Sequence, residues 1–288
     1  MEQEITKDIV VLYHAECMDG FSAAWAARKK FEYLADYIPV KHGLPTPAGL
    51  ENKEIYLVDF TYPKEITLEL IKNNKSVIGI DHHMGMEEVI KLIPNHVFDN
   101  NHSGAVLAWK YFHPNRPVPK FLEYVEDGDL WKFSLVDTIS ITTYADLYLG
   151  NFDKWNQVVL DIENEDTRLA CIEKAKTLLA YQDIIVESLL RQKQKVEFVG
   201  HEVYTVNGPR IFRSRIGNVL AKTQPPFGIY WYQEKDYIHV SLRSLKDEPF
   251  FDVDAVAKKF GGGGHKSASS FGFPADQPFP WKIIKENK

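Results

Sequence analysis

A run of four apolar residues, Val77-Ile78-Gly79-Ile80, stops abruptly at Asp81-His82-His83. β-Branched residues favour extended backbone, and an unbroken apolar run belongs to a strand buried on both faces, as in a parallel sheet. Asp81, His82 and His83 then fall where the strand leaves the sheet, the edge at which ligands of open α/β sheets collect. Successive strand residues point to opposite sides, so the two imidazoles diverge unless the chain turns, one facing a metal and the other a substrate. Two earlier segments end in the same way. Ile9 to Tyr13 runs into His14-Ala15-Glu16-Cys17-Met18-Asp19-Gly20, ahead of a helix from Phe21 or Ser22 to about Tyr33. Glu54 to Val58 runs into Asp59, ahead of a helix opened by Pro63 with Ile66, Leu70 and Ile71 on one face. Strand–helix alternation implies parallel pairing, which brings all three strand ends to one edge. A lone Asp after a strand is most simply a cap or turn residue; three such clusters with adjacent histidines point to a metal centre.

Composition narrows the class. The chain has 288 residues, 44% hydrophobic and 26% charged, an ordinary globular balance with room for two domains. No apolar run approaches membrane-span length, and the opening Met1-Glu2-Gln3-Glu4 lacks the basic and apolar regions of a secretory signal. Cys17 and Cys171 are too few for a disulfide framework and fit a reducing compartment, so a cytoplasmic protein is expected. A formal net charge of −6 argues against duplex DNA as a partner while leaving room for a short phosphate-bearing ligand in a local basic pocket.

Farther along, Pro39 to Pro47 reads as loop. Ser103 reads as the N-cap of a helix from Ala105 to Phe112 rather than as a phosphate contact, and Phe121 to Val125 leads into Glu126-Asp127-Gly128-Asp129. Either aspartate is a loop cap or a further ligand. From about Glu163 to Gln194 apolar residues recur at helical spacing without sustained heptads, which predicts a long helix closing a first domain rather than a coiled coil. Beyond it strands dominate, at Val196–Val199, Val203–Val206, Phe227–Tyr232 and Tyr237–Leu242, with helices at Arg215–Lys222 and Val253–Phe260. The run Gly261-Gly262-Gly263-Gly264 before His265-Lys266-Ser267 is either an anion-binding loop or a flexible turn.

These parts, in this order, resemble the DHH phosphoesterases that carry a C-terminal DHHA1 domain, a family including RecJ-type exonucleases, nano-RNase-like enzymes and exopolyphosphatase-related proteins. The motifs are His14 to Gly20, Asp59, Asp81-His82-His83, Glu126-Asp127, Ser214-x-x-Gly217-Asn218, Ser241-Leu242-Arg243-Ser244 and Gly261 to Ala268. The resemblance implies an α/β fold: a parallel-sheet DHH domain over 1–160, a linking helix over 161–195, and a smaller α/β DHHA1 domain over 196–288. It implies His14, Asp19, Asp59, His82 and Asp127 as metal ligands, Asp59 bridging two ions, with Asp81 orienting a histidine and His83 contacting the scissile phosphate. Arg243, Ser244, Gly263, Gly264, His265 and Lys266 would grip substrate phosphate. Two manganese ions are the implied cofactors, and a metal-bound hydroxide the implied nucleophile, acting on short single-stranded nucleic acid or nucleotide phosphoesters at a cleft that excludes duplex and needs no membrane. A homodimer is compatible with the reading.

One departure bears on the chemistry. The family's first motif carries Asp-x-Asp where this chain has Cys17-Met18-Asp19, with spacing from the histidine one residue shorter; Met84-Gly85 also departs from the polar residues that follow the histidines elsewhere. A thiolate suits zinc or iron better than manganese, so the first ion is expected to be weak, replaced or absent. Two other functions therefore stand beside the phosphodiesterase: a nucleotide-bisphosphate phosphatase or exopolyphosphatase, and a catalytically silent nucleotide-binding protein.

Overall fold

In the computed structural model, which describes residues 4–247 and 250–285, the first half is an α/β layer structure. Its elements are β1 (Ile9–His14), α1 (Met18–Phe31), β2 (Ala35–Val40), β3 (Glu54–Val58), α2 (Lys64–Asn73), β4 (Ser76–Asp81), α3 (Glu87–Ile90), β5 (Asn95–Phe98) and α4 (Gly104–Phe112), then α5 (Lys120–Asp129), α6 (Thr138–Asp146), α7 (Phe152–Glu163) and α8 (Glu165–Leu190). The five strands form one sheet in the order β2-β1-β3-β4-β5, and every pairing is parallel. Parallel order sets His14, Asp59 and Asp81 at the same edge, as the alternation of strands and helices predicts.

Period-two alternation divides the core. Val11 and Tyr13 of β1, Tyr56 and Val58 of β3, and Ile78 and Ile80 of β4 join a cluster with α1, α4, α5 and α7. Val10, Leu12, Ile55, Leu57 and Val77 face the other way, against Leu70, Ile90 and Ile93. The strands are thus covered on both sides, the reason their sequences lack polar alternation. Two strands escaped the sequence reading. Pro39 suggests a loop, yet it lies in β2, an edge strand, where a missing N–H is tolerated. β5 is the opposite edge and only four residues long.

The chain divides into two units at Leu179/Ala180, within α8. The second unit continues with β6 (Gln194–Phe198), β7 (His201–Asn207), α9 (Arg213–Thr223), β8 (Phe227–Glu234), β9 (Tyr237–Ser244), α10 (Val253–Lys258), β10 (Gly263–His265), β11 (Ala268–Pro274) and β12 (Lys282–Ile283). Its sheet runs β10-β11-β9-β8-β7-β6-β12. The glycine run, read from sequence as an anion-binding loop or a flexible turn, divides: Gly261 lies in the turn after α10, while Gly263 to His265 pair antiparallel with Ala268 to Ser270 as an edge strand. Among the described residues no helix is long and apolar enough to cross a membrane.

The first unit's aromatic packing is testable. Trp155 of α7 is fully buried, with its ring 5.0 Å from Phe21 and 5.3 Å from Phe121, edge-on to both. Trp155→Ala should lower unfolding free energy by about 3–5 kcal/mol, the range for deleting a buried aromatic, as read by urea denaturation.

Candidate metal centre

β1 delivers His14 to the rim, and α1 starts almost upon it. A Cβ at Gly20 would lie 2.3 Å from the His14 carbonyl oxygen and 2.8 Å from its Cβ, so only glycine permits that approach. The preceding Asp19 is buried, but it does not cap its own helix. Its oxygens accept from the amides of Gly104 (2.6 Å) and Ala105 (2.9 Å), the opening N–H groups of α4, where a helix favours negative charge. Ser103 completes that terminus as N-cap, its Oγ accepting from the Val106 amide at 3.4 Å, as the sequence predicts.

β3 ends in a turn at Asp59, whose φ is 54°, a left-handed conformation that aspartate tolerates better than most residues. Its amide donates to the Ile80 carbonyl at 2.9 Å, tying the turn to β4. A Cβ at Gly104 would meet the Asp59 Cβ at 2.5 Å, so the start of α4 and Asp59 share one tight space. β4 then presents Asp81. Its Oδ1 accepts from the amides of His82 (2.7 Å) and His83 (3.2 Å), and pairs with His83 Nδ1 at 2.7 Å; its Oδ2 accepts from the Thr61 hydroxyl at 2.6 Å. Asp81 therefore orients His83.

The histidines and carboxylates converge. His82 Nε2 lies 3.2 Å from Asp59 Oδ1, 3.6 Å from Asp19 Oδ2 and 3.7 Å from Asp129 Oδ2. His14 Nδ1 is 3.6 Å from Asp59 Oδ2. Three overlapping groups have their ligand atoms within 4.8 Å of one another: His14, Cys17 and Asp59; Asp59, His82 and His83; Asp19, His82 and Asp129.

Asp127 is not among them, a correction to the sequence expectation. Its Oδ1 accepts from the Ser134 amide (2.8 Å) and hydroxyl (2.7 Å), and its Oδ2 from the Leu135 amide (3.2 Å) and Thr138 hydroxyl (2.5 Å). The reason is helical geometry: Asp127 and Asp129 both lie on α5, and two residues at about 100° each turn about 200° apart. Only one can face the rim, and that one is Asp129. Thr61 also went unread, as did His42, whose ring stacks on Phe60 at 4.4 Å and lies 5.8 Å from His14. Sequence spacing marks neither, although the helical phase of α5 could have flagged Asp129.

Electrostatics fits a cation. Burial first, then the charges of Asp59 and Asp129, push the Asp19 carboxyl well above the ordinary range. Burial would do the same to Asp59, yet the imidazoles of His14 and His82 hold it far below. Burial opposes a charged His82, but Asp59, then Asp19, raise it to about 10; against the same opposition, the hydrogen bond with Asp81 raises His83 to about 9. Both Asp59 oxygens and His14 Nδ1 are buried with no hydrogen bond of good geometry, an arrangement that buried polar groups avoid unless something else engages them. Carboxylate oxygens suit hard cations such as manganese, imidazoles suit zinc or iron as well, and a cation there would displace the cluster's protons. Cys17 is the weak member: burial, then Asp59, Asp129 and Asp19, push its thiol up, away from the thiolate that binds metals.

In the second unit, Arg243 of β9 and His265 of β10 sit at the same register, each level with Ala268 of β11. Arg243 donates to Ser214 Oγ at 3.0 Å and to the Leu242 carbonyl at 2.9 Å; burial, then Arg213, lowers it to about 10. His265 and Lys266 are exposed. Two expected phosphate contacts are committed elsewhere. The buried Ser244 hydroxyl donates to the Phe251 carbonyl at 2.6 Å, and the Gly264 amide donates to Asp254 Oδ1 at 2.8 Å. Gly263 serves in the β10–β11 pairing.

No protein-family model matches the chain, but relatives do. Uncharacterized protein R106 of Acanthamoeba polyphaga mimivirus is 32% identical over 92% of this chain and 67% of its own length. Oligoribonuclease NrnB of Bacillus subtilis is 25% identical over 58% of this chain, which spans only 42% of it. Among solved structures, the DHH domain of a member of the s1p family of ribosomal proteins matches with a TM-score of 0.63 at 14% identity, covering 96% of this chain and 83% of that one. The chain belongs to the DHH phosphoesterase family. The family is one of phosphoric-ester hydrolases. RecJ of Thermus thermophilus, solved in complex with Mn2+, matches with a TM-score of 0.54 at 17% identity over 91% of this chain and 49% of RecJ.

The two aspartates of α5 separate structure from metal binding. Asp127→Ala should destabilise the fold by about 2–3 kcal/mol, because it strands buried donors, while Asp129→Ala, which removes one of the crowded carboxylates, should hold or raise the melting temperature of the metal-free chain and weaken manganese binding. Thermal melts and metal titrations of both variants check this.

Proposed function

We propose that this chain is a manganese-dependent phosphodiesterase hydrolysing short oligonucleotides or nucleotide phosphoesters. The observation that carries the reading is the convergence on Asp59: two buried carboxylate oxygens, neither in a well-formed hydrogen bond, between His14 and His82, with Asp19 and Asp129 alongside. His14, Asp59, His82, Asp19 and Asp129 would hold divalent cations, with Cys17 beside the first. Cations bound there would lower the pKa of water from 15.7 towards about 7 and neutralise charge on phosphoryl oxygens.

The chain's own groups have separable tasks. Asp19, anchored to the α4 amides, and Asp59, fixed by its turn, cannot relax away from each other, so the carboxylate cluster is pre-organised. Asp81 commits His83 Nδ1, so a contact from His83 to a phosphate oxygen comes through Nε2. Arg243, fixed by Ser214, is a ready partner for a substrate phosphate. A net charge of −6 suits a short substrate over a long duplex. The oligoribonuclease activity in the NrnB name and the Mn2+ in the RecJ structure support the substrate class and the metal. The two free cysteines fit a cytoplasmic setting.

Cys17 favours one second reading, a nucleotide-binding protein without turnover. With manganese and the dinucleotide pApA, the chain should release AMP, and Asp59→Asn should lower kcat/KM by at least about 10²–10³-fold, the loss seen when one pre-organised charge contact is removed. Turnover equal to that of Asp59→Asn would instead favour the silent binder, and release of phosphate without AMP would favour a phosphomonoesterase. Cys17→Asp should tighten manganese binding about tenfold, since added ligand charge raises hard-cation affinity; calorimetric titration measures it.

A further inference from the structure

Just past Asp129 the backbone adopts an unfavourable path. Trp131 has φ 57° and Phe133 φ 46°, left-handed values that bulky residues avoid. The path is held in place: the Asp127 carbonyl accepts from the Lys132 amide at 2.8 Å and the Phe133 amide at 3.2 Å, while the Asp127 carboxylate grips Ser134, Leu135 and Thr138. What this presents is a pair of aromatic rings, 4.8 Å apart and nearly perpendicular, 41% and 40% exposed. With the Trp131 amide on the Gly128 carbonyl at 3.0 Å, the path closes α5 as helix C-termini commonly close, but at a position that glycine normally fills; a bulky aromatic there gains no burial for its ring. Strained backbone of this kind collects at ligand clamps. Lys132, between Trp131 and Phe133 in sequence, lies 3.5 Å from Glu126, so the loop offers a ligand aromatic faces more than charge. Two peptide units from Asp129 keep the Trp131 Cα within about 7 Å of the Asp129 Cα, beside the candidate metal centre.

We propose that Trp131 and Phe133 form a stacking platform for a nucleobase of the substrate. Bases free of a duplex stack on such side chains with little regard to sequence. The proposal rests on the phosphodiesterase reading and narrows it: the substrate is a single-stranded nucleotide with an available base, not polyphosphate.

The test is equilibrium binding by fluorescence anisotropy, using the full chain with manganese and a labelled, non-hydrolysable methylenephosphonate analogue of pApA. A second probe lacks one base. Trp131→Ala should weaken binding of the two-base probe about tenfold, within the range expected for one stacked base. Trp131→Phe should recover most of that loss. The abasic probe should bind the wild-type chain about tenfold more weakly and be insensitive to Trp131→Ala when the missing base is the stacked one. Equal losses on both probes for either abasic position, or none, overturn the platform, as does failure of the wild-type chain to bind the two-base probe. Dissociation of a homodimer by Trp131→Ala with nucleotide affinity unchanged overturns it too, and gives the surface to a second copy. If the expected binding pattern appears but pApA is not hydrolysed, the platform stands and the phosphodiesterase reading falls; if pApA is hydrolysed and Trp131→Ala binds like the wild type, the reverse holds.

Discussion

Three carboxylates crowd around one imidazole: Asp19, Asp59 and Asp129 all approach His82 Nε2. With Asp19 and Asp59 buried, like charges at this spacing repel strongly and must take up protons or share cations. The elements of the first unit hold the cluster together against that repulsion. The start of α4 holds Asp19 through two amides, the Asp59 turn is tied to β4, and the last turn of α5 brings Asp129. Gly20 and Gly104 permit approaches that any side chain would block. Such crowding is costly to stability, and it makes sense where cation binding returns the cost.

The scaffold explains why distant residues meet. Parallel pairing aligns the ends of β1, β3 and β4, and helices on both sheet faces leave that edge as the place where backbone turns and side chains gather. Asp81 and Asp127 work behind the front line. One fixes an imidazole; the other fixes a loop. Each is buried and fully engaged by donors, so each shapes the site through its neighbours.

How far the sequence revealed this depends on the kind of signal. Apolar runs ending in acid or imidazole pointed to parallel pairing of β1, β3 and β4 and to a common edge for His14, Asp59 and His82, because strand–helix alternation leaves few topologies, but they did not give the strand order. Cap chemistry gave Ser103. The choice between Asp127 and Asp129 failed because both are acidic residues on one turn of helix, and only the helix's phase against the sheet separates them. Pro39 hid an edge strand, since the same residue marks loops and tolerated edges. In the second unit, the family resemblance pointed to Arg243, Ser244 and the glycine run, but it could not tell that the Ser244 hydroxyl and the Gly264 amide are used within the fold. The left-handed turn at Trp131 and Phe133 had no sequence signature, as neither residue type favours that conformation.

The most direct test of the central claim is anomalous diffraction from crystals of the wild-type chain soaked in manganese. The account predicts manganese in contact with Asp59 beside His82, Asp19 and Asp129, a weaker peak on the His14 side where Cys17 stands, and none at Asp127. Soaked crystals with no manganese in contact with Asp59 would contradict it.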